Sequence, residues 1–148
     1  MSCDLDQLSL VTLVCSRTFV ASFAMAQKVY IVEHLDPELE HWSSLEYRTI
    51  AAESQDAGAL FYLSSVPSNL QVPEGFRDSR GLQIEQRGVE EMFADKKERV
   101  CLLDPAAATE LTPEDGEKFD VFLFGGILGD DPPRGIRCSR LAKEGFQG

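Results

Sequence analysis

Short runs of β-branched and aromatic residues recur along this chain, separated by longer stretches of helical or loop character. The first run, residues 28–33, contains Val29, Tyr30, Ile31 and Val32 and predicts a strand. Asp36, Pro37 and Glu38 follow as an N-cap, a proline for the first helical position and an acid for the first turn. They predict a helix from residue 37 to about residue 53. Leu39, Trp42, Leu45 and Ile50 fall on one side of that helix, the side expected to dock on a sheet. Glu46 and Glu53 share this stripe, and a carboxylate on an apolar face must find a partner or reach solvent. Glu46 is therefore either an acid at the stripe's edge or a binding group for a cationic substrate.

Residues 59–63 predict a second strand, closed by Ser64, Ser65 and Pro67. The segment 68–80, with its prolines, glycines and mixed charges, reads as a surface loop. A short extended piece at 82–85 and a helix from 89 to about 97 come next. Residues 99–103 predict a third strand, stopped by Asp104 and Pro105, and Thr112, Pro113 and Glu114 open a short helix. The run 119–124 is apolar on both faces, as in a buried parallel strand, and breaks into Gly125, Gly126, Gly129, Asp130, Asp131, Pro132 and Pro133. Four clear strands alternating with helices predict an α/β domain with a mainly parallel sheet. Ligands of such sheets sit outside the carboxyl ends of the strands, where glycines admit close approach of the backbone, so this loop is the first candidate site. The same residues would also serve as a tight turn.

With 148 residues and 43% apolar side chains, the chain is long enough for one packed domain. The expected division is a leader over 1–24, without a folded role, and a domain over 25–148. The leader's apolar residues 8–14 and small residues 21–26 follow part of a secretory-signal pattern, but Asp4 and Asp6 stand where basic residues belong. Met25 is an alternative start. A net charge of −11 speaks against nucleic acid as a partner and suits a basic one, or simply solubility. Cys3, Cys15, Cys101 and Cys138 form no C-x-x-C pair and have only His34 and His41 beside them, so no metal site is expected. The cysteine usage fits a reducing, cytoplasmic compartment, and no segment suggests a membrane span. Neither the dinucleotide-binding glycine fingerprint, a phosphate-binding P-loop nor a nucleophile elbow occurs.

Four groups of residues resemble a known family: Tyr30 to His34; Trp42 with Leu45, Glu46 and Tyr47; Cys101 to Pro105; and Phe124 to Asp130 with Pro132, Pro133 and Arg134. They are similar to the SPOUT-fold protein arginine methyltransferases of fungi and their archaeal relatives, from about Lys28 to Arg134. The resemblance implies a trefoil-knotted α/β fold that binds S-adenosylmethionine at the knot and methylates an arginine of a small-subunit ribosomal protein. It implies cofactor contacts from Phe124, Gly125, Gly126, Ile127, Leu128 and Gly129, and substrate contacts from Glu46 and Arg134. A guanidinium is charged at physiological pH, and carboxylates must hold it and help it lose a proton. Glu33, Asp130 and Asp131, expected at the carboxyl ends of strands, are the candidates for that catalytic work, or are solvated loop acids.

Beyond Arg134 the family pattern is not followed: Gly135 to Cys138 intervene before Ser139, Arg140 and Leu141 resume a helical pattern. No match to the family's knot-forming segment is found, so the expectation is an incomplete SPOUT domain with poor cofactor affinity. The competing expectations are an inactive SPOUT-like fragment and a SPOUT RNA methyltransferase, the latter disfavoured by acidity.

Overall fold

The computed structural model describes residues 27–104, 107–126 and 145–146. Five strands form one parallel sheet: β1 (Val29–His34), β2 (Leu60–Ser64), β3 (Leu82–Ile84), β4 (Val100–Leu103) and β5 (Val121–Gly126), in the order β3-β2-β1-β5-β4. The helices are α1 (His41–Asp56), the single turn α2 (Val89–Met92) and the single turn α3 (Asp115–Lys118). The α/β class and parallel sheet agree with the pattern of apolar runs. The short piece at 82–85 proves to be a full member of the sheet, giving five strands where four were clear from sequence.

Alternation along the strands sorts the core into two layers. Val32, Phe61, Leu63 and Leu82 face α1 and pack with its Tyr47 and Ala51, while Leu39, Val66, Leu70 and Phe76 close that layer. Ile31, Val100, Leu102, Val121 and Leu123 face the opposite side, where Val89 of α2 and Phe146 cover them. A third cluster, Cys101, Phe119 and Phe122, fills the α1 side beneath β4 and β5.

The long helix departs from expectation in start and in facing. It begins at His41, with Glu40 as an extended N-cap that makes no side-chain capping bond, so Asp36 and Pro37 lie in the connection before it. Its buried residues are Ser44, Tyr47, Ala51 and Ser54, whereas Trp42 is 69% and Leu45 44% exposed. Small side chains let the helix approach the sheet and its flanking loop closely. A Cβ on Gly81, whose φ is +76°, would lie 2.4 Å from the Ala51 carbonyl oxygen. Of the two serine hydroxyls that α1 buries, that of Ser44 donates to His41 O at 2.7 Å. Similarly, the helix expected over 89–97 is one turn followed by a 3-10 turn, Lys97–Arg99. No helix of the described residues is long and apolar enough to cross a membrane.

Candidate functional site

The carboxyl ends of β1, β5 and β4 lie side by side, because Glu33 and His34 are in register with Gly125 and Gly126, and Leu103 is in register with Phe124. The glycine run at the end of β5 thus meets a buried carboxylate and a buried imidazole at the end of the central strand. Strand alternation sends Glu33 and His34 to opposite faces.

Glu33 is fully buried on the face away from α1, and its Oε1 accepts a hydrogen bond of 2.8 Å from Ser65 Oγ. Ser65 holds φ at 59°, an uncommon conformation for a residue other than glycine, immediately after β2. Its neighbour Ser64 is in register with Glu33, fully buried, and its Oγ has no hydrogen-bond partner. His34, on the α1 face, is 2% exposed and meets the Tyr47 ring edge-on at a centroid distance of 6.0 Å. Neither of its ring nitrogens has a hydrogen-bond partner. Burial holds the imidazole's pKa below its usual value, with the Asp36 charge opposing, so His34 favours the neutral form. Burial also pushes the Tyr47 hydroxyl up to about 12, helped by Asp36 and Glu46, and keeps it protonated. Glu46, half-buried beside Tyr47 on α1, has one carboxylate oxygen without a partner.

On the same face, at the end of β4, lies a cleft of about 540 Å³. Cys101, Leu103 and Phe119 give it an apolar floor, Ala107 and Thr109 lie along the following loop, and Asp104, Glu110 and Asp115 place carboxylates on its rim, together with Lys118, whose Nζ lies 4.4 Å from the Phe119 ring centroid. The Asp115 carboxyl is held below its ordinary value by the Thr112 backbone N–H and hydroxyl, each donating to it at 2.9 Å. The Cys101 thiol is pushed up by burial and then by Asp115, which keeps it protonated and a poor nucleophile. No group of three or more potential metal ligands occurs among the described residues.

Of the residues proposed from sequence, Glu33, Phe124, Gly125 and Gly126 come together at the strand ends, with Phe124 40% exposed, and Glu46 lies on α1. Ile127, Leu128, Gly129, Asp130, Asp131 and Arg134 lie outside the described residues. His34, Ser64 and the β4 cleft were missed. The signal for His34 was its position two residues beyond Val32, on the same face of the strand.

A family model described as protein arginine N-methyltransferase SFM1-like matches residues 29–148. The chain belongs to the SFM1-like family. The match extends past Arg134, where the resemblance traced by motif had ended. Protein arginine N-methyltransferase SFM1 of Saccharomyces cerevisiae is 41% identical over 114 residues, which cover 71% of this chain and 53% of the yeast protein. The crystal structure of the yeast arginine methyltransferase SFM1 complexed with SAM matches with a TM-score of 0.64 and 40% identity, over 81% of this chain and 56% of that one. Other crystal structures of the yeast enzyme are complexed with MTA and SAH. The SFM1-like chain thus spans about half the length of these relatives. Trm10 from Thermococcus kodakaraensis shares the fold at 18% identity, with a TM-score of 0.55 over 80% of this chain and 73% of its own. The parallel α/β sheet is accordingly of the SPOUT type seen in SFM1 and Trm10.

Proposed function

We propose that this chain carries the cofactor-facing part of an S-adenosylmethionine-dependent protein arginine methyltransferase that modifies a small-subunit ribosomal protein in the cytoplasm. The observation that carries the reading is the cleft of about 540 Å³ that runs along β4 between the turn before β5 and the loop after Asp104, in a chain 41% identical to an arginine methyltransferase. Its chemistry fits the group: Cys101, Leu103 and Phe119 suit a purine, and the acidic rim of Asp104 and Glu110 suits ribose hydroxyls and a cationic centre. Bound there, S-adenosylmethionine supplies an electrophilic methyl on a sulfonium.

The chain's own residues supply the other half of the chemistry. An arginine side chain brings a positive charge to the site and loses one proton overall as its nitrogen is methylated. The loop acids Asp130 and Asp131 are the carboxylates we assign to hold that charge and receive the proton, and Glu33, which Ser65 fixes at the end of β1 on the sheet face opposite the cleft, is assigned with them. Glu46 and Arg134 are assigned to the substrate. Phe124, Gly125 and Gly126, with Ile127 to Gly129, are assigned to the cofactor, and the knot implied by the family would enclose it. The net charge of −11 supports a basic protein over RNA as the substrate. A cytoplasmic setting fits the buried, free thiol of Cys101.

The test is methyl transfer from radiolabelled S-adenosylmethionine to purified small ribosomal subunits, with the products separated into protein and RNA. Label on an arginine of one protein is expected. Label in the RNA, or none in either fraction, overturns the reading.

A further inference from the structure

The outward face of α1 carries exposed apolar side chains that the proposed chemistry leaves unused. Trp42 and Leu45 are one helical turn apart on this face and are 69% and 44% exposed, and Leu35, in the connection from β1, is 38% exposed. Trp42 is the single tryptophan of the chain, and nothing in the fold requires so large an apolar side chain in water. Its surroundings are acidic: Asp36, Glu38, Glu40 and Glu53 are all exposed. Arg48 is the single Lys or Arg between residues 35 and 56. The connection 35–40 leaves the carboxyl end of β1, so this face adjoins the site end of the sheet.

We propose that the outward face of α1, with Trp42 at its centre and Glu38 and Glu40 at its border, docks a basic segment of the protein substrate. The occupant follows from charge and shape. An arginine or lysine laid on the Trp42 ring gains a cation–π contact, its aliphatic stem covers Leu45, and neighbouring cations meet the carboxylates. The inference rests on the methyltransferase reading only for the identity of the partner as a substrate. The surface itself requires a cationic peptide.

Because Trp42 is the single tryptophan, its fluorescence reports occupancy directly. The probe is a short oligoarginine peptide titrated into the full chain, without cofactor. Trp42 emission should change on saturation, Trp42→Ala and the double variant Glu38→Gln with Glu40→Gln should weaken binding of a labelled peptide about ten-fold, and rising salt should weaken it further. A control variant on the 68–80 loop, Glu74→Gln with Asp78→Asn, removes equal charge from exposed positions elsewhere and should change binding by less than about two-fold. Equal weakening by the control, or unchanged Trp42 emission, overturns the proposal. So does self-association lost on Trp42→Ala, which would make a second copy the occupant, or a Trp42 emission shift on removing residues 1–24, which would make it the chain's own leader. Methyl transfer separates the two readings. Peptide binding at Trp42 without transfer to any protein sinks the enzyme reading and leaves the surface standing. Transfer whose KM is unmoved by Trp42→Ala sinks the surface and leaves the enzyme reading standing.

Discussion

Gly81 shows how closely α1 sits against the neighbouring chain. Its φ of +76° lies in the left-handed region, and an added Cβ would meet the Ala51 carbonyl oxygen at 2.4 Å and Gln55 Cβ at 3.0 Å. Backbone strain and a clash with main chain add, so Gly81→Ala should destabilise by about 1–3 kcal/mol, measured by urea unfolding. Gly75, with φ +71° and open space around its Cβ position, has no clash, so its alanine variant should lose less. His34 sets a pH dependence. Its pKa in the fold lies below its ordinary value of 6.5, so between those two values the unfolded chain binds more protons than the native one. Stability from this group is complete above pH 6.5 and declines as the pH falls below it, at no more than about 1.4 kcal/mol per pH unit. Thermal midpoints should fall between pH 7 and pH 5.5, and His34→Leu should flatten the slope in that window. Equal slopes in the two proteins would contradict the assignment. The role of His34 was not legible at residue scale, because the strand predicted from sequence stops at Glu33 and His34 is followed by Leu35 and Asp36, a context that reads equally as loop, whereas β1 includes it.

At the scale of elements, the strands were readable because each central run is apolar on both faces, and only a parallel sheet covered on both sides buries such runs. The site end of β5 was readable for the same reason, since the apolar run stops at Gly125 and Gly126. The facing of α1 was not readable. A search for large apolar residues selects Trp42 and Leu45, but the helix buries Ser44, Ala51 and Ser54, small residues whose value lies in close approach and carries no hydrophobic signal. Swapping the two faces tests this: Ala51→Leu should overpack the contact with the sheet and cost about 1–3 kcal/mol, whereas Trp42→Ala should leave stability within about 0.5 kcal/mol. A large loss on Trp42→Ala would mean that the ring is covered. Where β4 and β5 begin, Arg99 makes two bonds of 2.8 and 2.7 Å to Asp120, with Lys28 3.9 Å from the same carboxylate. The groups are partly exposed, so Arg99→Ala should lower the urea midpoint only slightly, and less at high salt.

For the molecule as a whole, the acidic charge and the arrangement at the carboxyl ends point the same way. A surface of net charge −11 attracts basic protein, a cleft runs along β4, and the end of β1 holds a buried carboxylate in register with the glycine end of β5. Sequence motifs located the β5 side of this arrangement but not the cleft, because its floor comes from β4 and the turn before β5, and its rim from a loop whose acids look like ordinary solvated residues. The central claim is that this cleft takes the cofactor. Saturation-transfer NMR with S-adenosylhomocysteine tests it most directly, since it reads even weak binding and needs no turnover. The adenine protons should receive saturation from the chain, S-adenosylmethionine should compete, and Ala107→Trp, which fills the cleft from an exposed loop, should abolish the signal with an unchanged thermal midpoint. No saturation transfer to the adenine, or equal transfer in the Ala107→Trp protein, would contradict the account.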